Sequence, residues 1–78
     1  MPNRYFNWTF TDVESFLRKN KFVCIRTSGS HYHYSTTVSG KPRLVQVPFH
    51  GNNTRIDPRT IKSIIMQSGL PKEKWFGN

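Results

Sequence analysis

Residues 22–49 read FVCIRTSGSHYHYSTTVSGKPRLVQVPF, and the strands that they predict set the architecture of the domain. Residues that favour strands, β-branched and aromatic, form three runs within it, at 22–27, 31–38 and 43–49. Turn residues separate the runs, Ser28-Gly29 before the second and Ser39-Gly40 before the third. Because connections this short join strands that run in opposite directions, the stretch predicts a three-stranded antiparallel meander.

A helix is predicted before the strands. Residues 11–14, TDVE, predict a capping box in which Thr11 and Glu14 each bond the other's backbone amide. Apolar residues at helical spacing give this helix one buried face, formed by Val13, Phe16 and Leu17. We expect Asn20 to end the helix in the left-handed conformation.

A second helix is predicted after the strands. Asp57 can cap its first amides, and Pro58 suits the first helical position, where no amide is needed. Its buried stripe consists of Ile61, Ile64 and Ile65. Gly69 predicts a left-handed end, and residues 71–76 predict one further helical turn that carries an aromatic anchor.

The predicted order is therefore α-β-β-β-α, which places the protein in the α+β class. Two apolar helix stripes must be buried, so both helices are expected to cover one face of the sheet in a two-layer domain. The other face is left open to solvent or to a ligand. We assign residues 11–78 to this domain and residues 1–10 to an N-terminal aromatic extension.

Charge is the strongest global indication of function. Twelve Lys and Arg residues against four acids give a formal net charge of +8 on 78 residues. Such an excess is typical of proteins that bind a polyanion, most commonly nucleic acid. The cations are scattered over predicted strands and loops instead of lining one amphipathic helix, which argues against a membrane surface.

The sequence favours a cytoplasmic protein. No segment approaches the roughly 18 apolar residues that a membrane-spanning helix needs. The first residues lack the apolar segment of a secretory signal. The single cysteine, Cys24, cannot form an internal disulfide, which is typical of a reducing compartment.

Two histidines, His31 and His33, share one face of the predicted second strand. They can be ordinary packed residues, or zinc ligands together with His50. The cationic surroundings oppose a divalent cation, and no carboxylate is near in sequence to orient an imidazole. As acid–base groups, they could instead act on RNA, which carries its own nucleophile in the 2′-OH and needs no metal for cleavage.

Four short motifs occur in an order that is specific to one protein family. They are Asn20-Lys21-Phe22-Val23, then Gly29-Ser30-His31 with Tyr34 three residues on, then Val47-Pro48-Phe49-His50, and finally residues 60–70, TIKSIIMQSGL. On these motifs the sequence resembles the HicA family of small bacterial toxins, also labelled YcfA-like. The resemblance covers residues from about 12 to 76.

The resemblance implies a double-stranded-RNA-binding-domain-like fold and an endoribonuclease that cleaves mRNA and inhibits translation and growth. It implies a HicB-type antitoxin partner and no cofactor. The family's catalytic histidine follows the Gly-Ser pair, which here is His31. His33 is not a fixed feature of that motif, so it can assist proton transfer, orient the RNA or pack.

Further residues have expected roles around His31. Gly29 would permit the turn that presents it, and Ser30 could bond a phosphate oxygen. Candidate phosphate contacts, each equally consistent with a solvated surface role, are Arg26, Lys41, Arg43 and Arg55. Two other functions stay open, a non-catalytic RNA-binding module on the same fold and a histidine-ligated metalloprotein.

The sequence departs from the family pattern in two places. Family members often begin directly with the first helix, whereas residues 4–10, RYFNWTF, precede it here. These aromatics can cover the edge of the core or stack on bases. The loop at 51–55 is also richer in polar residues than expected, and is either an RNA contact or a flexible rim.

Overall fold

Three antiparallel strands and three helices make up the part of the chain that the computed structural model describes, residues 7–76. In chain order they are α1 (Phe10–Lys19), β1 (Val23–Ser28), β2 (His31–Val38), β3 (Lys41–Pro48), α2 (Pro58–Ser68) and α3 (Lys72–Trp75). The predicted α+β order is confirmed, and α3 is the expected further turn. No helix in these residues is long and apolar enough to cross a membrane.

The sheet has the order β1-β2-β3, with both neighbouring pairs antiparallel. The two hairpin turns use left-handed backbone, at Gly29 (φ 58°) in the first and at Ser39 and Gly40 in the second. An irregularity between Cys24 and Arg26 shifts the register of β1 against β2. The short connections thus produce the predicted meander.

One side of the sheet packs against the helices. Its inward side chains on β2 and β3 are completely buried at Tyr34, Val45 and Val47. They form a single cluster with the apolar helix stripes, whose members include Val13, Phe16, Leu17, Ile61, Ile64 and Ile65. Burial of this apolar surface is the main term that stabilises the two layers.

Helix α1 begins two residues earlier than predicted. Thr9 is its N-cap, where the Thr9 hydroxyl accepts from the amide of Asp12 at 3.2 Å and Asp12 accepts from the amide of Thr9 at 3.0 Å. The capping box predicted for Thr11 and Glu14 is therefore wrong. Two overlapping Thr-x-x-acid patterns compete, and the earlier one brings Phe10 into the helix, where it is 3 % exposed.

The end of α1 also differs from the prediction. Asn20 is not left-handed, with φ −101°, and the left-handed residue is Lys21, with φ 73°. The Asn20 side-chain amide donates to the carbonyl of Phe16 at 2.9 Å, so it satisfies a terminal carbonyl directly. The chain then turns one residue later than expected.

Helix α2 agrees with the prediction at both ends. Asp57 Oδ1 accepts from the amide of Arg59 at 2.8 Å, and Pro58 occupies the first helical position. Gly69 ends the helix in the left-handed conformation, with φ 74°. Trp75 on α3 is the aromatic anchor, and its ring stacks on that of Phe16 with centroids 3.9 Å apart.

The described part of the aromatic extension is built into the core. Trp8 is completely buried, and its ring lies 5.6 Å from that of Trp75 in an edge-to-face arrangement. Phe10 contacts Tyr32 and Phe49. Residues 1–6 lie outside the described residues, and the assignment of 1–10 as an extension stays a prediction.

Candidate functional site

The face of the sheet opposite the helices carries both β2 histidines. Strand alternation places His31, His33 and Ser35 on the side away from Tyr34, as predicted. Their cross-strand partners on β1 and β3 complete three rows: Ser28–His31–Pro48, Arg26–His33–Gln46 and Val23–Ser35–Leu44. We call these nine residues the open face.

His31 is exposed at the start of β2. It directly follows the Gly29-Ser30 turn, and the carbonyl of Ser30 accepts a hydrogen bond from the amide of Phe49. That bond fixes the turn to the end of β3. No side-chain hydrogen bond within residues 7–76 engages the His31 imidazole, and the residue is exposed to solvent.

His33 has a different environment from His31. Only 5 % of it is exposed, between Arg26 on β1 and Gln46 on β3. Its Nδ1 is buried and has no hydrogen-bond partner among the described residues. An imidazole enclosed in this way does not reach a substrate on the solvent side without rearrangement of its neighbours.

The four candidate phosphate contacts are not gathered in one place. Arg26 is exposed on the open face, in the row next to His31, and exposed Arg55 lies in the loop that follows β3. Lys41 is at the other end of β3, seven residues from Pro48 or about 23 Å along a strand. Arg43 lies on the helix side, where its Nε is buried beside Gly69. The structure thus brings Arg26 and Arg55, but not Lys41 or Arg43, to the His31 end.

The possible metal ligands among residues 7–76 do not form a metal site. Across residues 7–76, no group of three or more His, Cys, Asp or Glu side chains is placed to hold a metal ion. The set of His31, His33 and His50 considered from the sequence is therefore not assembled in this part of the chain.

A groove that the sequence did not predict lies beside Pro48, the β3 partner of His31. Its volume is about 300 Å³. Its walls come from α1, the end of β3, the following loop and the start of α2. The lining residues are Phe10, Pro48, His50, Gly51, Thr54, Arg55, Ile56, Asp57 and Thr60. We call it the β3–α2 groove.

The loop at 50–56, which forms one wall of this groove, is tied down by hydrogen bonds. The amide and hydroxyl of Thr11 both donate to the carbonyl of Asn52, at 3.2 and 2.9 Å. The Thr54 hydroxyl donates to the carbonyl of His50 at 2.8 Å, and the amide of Ile56 donates to Trp8. Sequence periodicity does not predict these contacts, because they join residues up to 48 positions apart.

The chain matches a known protein family. The family model described as the HicA toxin of bacterial toxin–antitoxin systems matches residues 10–70, which is most of the chain. The match confirms the resemblance carried by the four short motifs. No curated protein matches the chain.

Proposed function

Since the chain belongs to the HicA toxin family of bacterial toxin–antitoxin systems, we propose that it is a metal-independent endoribonuclease that cleaves mRNA with His31. One observation carries this proposal. An exposed imidazole stands at the tip of a tight hairpin, next to the row that contains Arg26, on the sheet face opposite the helices of residues 7–76. The net charge of +8 favours a polyanionic substrate.

The proposed reaction uses the nucleophile that RNA provides. His31 takes the proton of a 2′-OH, the 2′ oxygen attacks the adjacent phosphorus, and the bond to the 5′ oxygen breaks. The leaving 5′ oxygen takes up a proton from solvent water, and His31 later returns its proton to solvent, so the products are a 2′,3′-cyclic phosphate and a 5′-OH. Arg26 would stabilise the charge that develops on the phosphate oxygens, and Ser30 would bond one of them.

Gly29 supports this role through its backbone. Its φ of 58° lies in the region that side chains disfavour, while a methyl group there would meet nothing within 4 Å. The turn therefore needs glycine for its conformation and not for space. We propose that this conformation presents His31 to the RNA.

Two matched oligonucleotides test the reaction. Both are single-stranded and have the same base sequence; the first is RNA, and in the second every 2′-OH is replaced by hydrogen. We expect the purified protein to cleave only the first, to leave 2′,3′-cyclic phosphate ends, and to do so equally in EDTA. Cleavage of the 2′-deoxy strand, or loss of cleavage in EDTA, would contradict the mechanism. Salt-dependent binding without any cleavage would favour the RNA-binding module.

A toxin of this class has an antitoxin partner. We propose that the partner is a HicB-type protein that covers the open face and is acidic. Two large apolar side chains of that face, Val23 and Leu44, are 60 % and 50 % exposed and flank Ser35 in the same row. Such exposed apolar residues are typical of surfaces that a partner covers. The mRNA substrate places the action of the toxin in the cytoplasm.

Co-expression with the neighbouring gene product tests the partnership. We expect the two proteins to co-purify and the complex to lack ribonuclease activity. Val23→Ser with Leu44→Ser should weaken the complex and leave ribonuclease activity of the free toxin intact. An active complex, or one that the double substitution does not weaken, would count against an antitoxin seated on the open face.

A further inference from the structure

We propose that the β3–α2 groove binds one nucleobase of single-stranded RNA, next to the phosphate on which His31 acts. This inference rests on the proposed ribonuclease function and adds a base-recognition site to it. It concerns the surface beyond the edge of the sheet, which shares only Pro48 with the open face.

The groove and His31 are neighbours in the fold. Pro48 lines the groove and is the direct cross-strand partner of His31, so a single strand spacing of about 4.8 Å separates their backbones. The hydrogen bond from the Phe49 amide to the Ser30 carbonyl fixes this spacing. An RNA strand with its phosphate at His31 therefore has an adjacent nucleotide within reach of the groove.

The lining of the groove suits a base. Phe10 and Ile56 are both largely buried and, with Pro48, give an apolar floor on which a planar ring can lie. Polar groups at the rim, which can bond the edge of the ring, come from His50, Thr54, Arg55 and Thr60. Single-stranded RNA is commonly recognised by this combination of a flat apolar contact and edge hydrogen bonds.

The negative charge of Asp57 favours a base over a phosphate in the groove. Asp57 also lines the groove, and hydrogen bonds from the Arg59 side chain and amide lower the pKa of its carboxyl, which keeps it charged. A carboxylate repels a phosphate but accepts hydrogen bonds from the amino group of a base. The size agrees, since about 300 Å³ is at the lower limit for ligand pockets and suits one nucleotide.

The groove is preformed. Its loop is bonded to α1 through Thr11 and Asn52 and within itself through Thr54 and His50. Gly51 has φ 119°, and a methyl group at that position would lie 2.9 Å from Thr54 Oγ1. Because the loop is already ordered, a base can bind without the loss of conformational entropy that ordering the loop would require.

Nucleotide binding is measured on the His31→Ala protein, in which the proposed cleavage cannot occur. The labelled protein is titrated with each of the four ribonucleoside 3′-monophosphates, and separately with inorganic phosphate, while backbone amide resonances are followed. We expect at least one nucleotide to shift the amides of Thr54, Arg55 and Thr60, and phosphate alone not to shift them. Shifts confined to the open face, or equal shifts with inorganic phosphate, would overturn the inference.

Substitutions in the groove test its effect on cleavage. Thr60→Val removes a hydroxyl and keeps the side-chain volume, and Arg55→Gln removes a charge. The matched control is Lys19→Gln, which also removes a charge. Lys19 is exposed and lies about 14 Å along α1 from the groove residue Phe10. On RNA of random sequence, we expect the two groove variants to change the distribution of cut sites and Lys19→Gln to leave it unchanged.

The two proposals can fail separately. If the wild-type protein cleaves RNA but the nucleotides leave the groove amides unshifted and the cut sites do not change, the groove inference is wrong and the ribonuclease stands. If nucleotides shift the groove amides but no RNA is cleaved, the groove is retained as a base-binding site and the ribonuclease is wrong.

Discussion

The hydroxyl of Tyr34, at the centre of the sheet, donates a 2.6 Å hydrogen bond to Glu14 Oε2 on α1. Tyr34 is completely buried, whereas the Glu14 side chain is 28 % exposed and also pairs with Arg18 at 3.3 Å. The contact joins the strand that carries His31 to the helix layer behind it. Glu14 therefore bonds Tyr34 and Arg18 instead of forming the predicted capping box.

Removal of this hydroxyl should lower stability. A hydrogen bond to a charged group contributes about 1.5–3 kcal/mol, and Glu14 keeps Arg18 and water, so we expect Tyr34→Phe to cost about 1–2 kcal/mol of the free energy of unfolding. Denaturant unfolding measures it. The matched control is Tyr32→Phe on the same strand, which should change stability much less, and equal losses in both variants would contradict the account.

The same contact predicts how stability depends on pH. Burial, then the hydrogen bond to Glu14 and its charge, raise the pKa of Tyr34 above its ordinary value. Below about pH 10 the phenol is protonated in the folded and unfolded chains, and the full stability is present. Above it only the unfolded chain releases this proton, so stability falls by up to about 1.4 kcal/mol per pH unit.

Tyr34→Phe isolates this effect, because lysines titrate in the same range in both proteins. We expect the stability of the wild type to fall more steeply than that of Tyr34→Phe as pH rises past 10. Parallel pH profiles of the two proteins would show that Tyr34 does not carry the difference.

Gly51 should be required for the loop of the β3–α2 groove. Gly51→Ala places a methyl group 2.9 Å from Thr54 Oγ1, which must move away from the carbonyl of His50. Gly40→Ala is the control, because Gly40 also has positive φ but open space around it. We expect backbone strain to lower the free energy of unfolding of both variants by about 1 kcal/mol, and the contact with Thr54 to lower that of Gly51→Ala further. Equal melting temperatures would contradict this.

The N-cap of α1 gives a further prediction. Thr9→Ala removes the hydroxyl that accepts from the amide of Asp12 and should cost about 1 kcal/mol. Ser15→Ala, at an exposed position inside the same helix, should be neutral or slightly stabilising. If the two substitutions have equal effects on unfolding, Thr9 is not the cap.

Local signals predicted most of the fold. The bounds of β2 agree with the prediction, since the turn residues on either side of 31–38 and the alternation within it are properties of neighbouring residues. The ends of α2 at Asp57 and Gly69 are local for the same reason. The predicted start of α1 is wrong because the choice between Thr9 and Thr11 depends on whether Phe10 is buried, which is a property of the tertiary structure.

The sequence predicts only part of the candidate site. Alternation predicts that His31 and His33 share one face, but not that His33 is buried while His31 is exposed. The distance of Arg43 from the open face follows from its position on the helix side of β3. The groove depends on contacts between Thr11 and Asn52, 41 residues apart, which no local pattern predicts.

The most direct test of the account is the rate at which His31→Ala cleaves single-stranded RNA, relative to wild type and to Lys19→Ala. His31 is exposed and makes no side-chain hydrogen bond within residues 7–76, so the variant should keep the wild-type melting temperature. We expect a loss of about 10²–10⁴-fold for His31→Ala, the contribution of a general acid–base group, and none for Lys19→Ala. A folded His31→Ala protein that cleaves RNA as fast as wild type would contradict it.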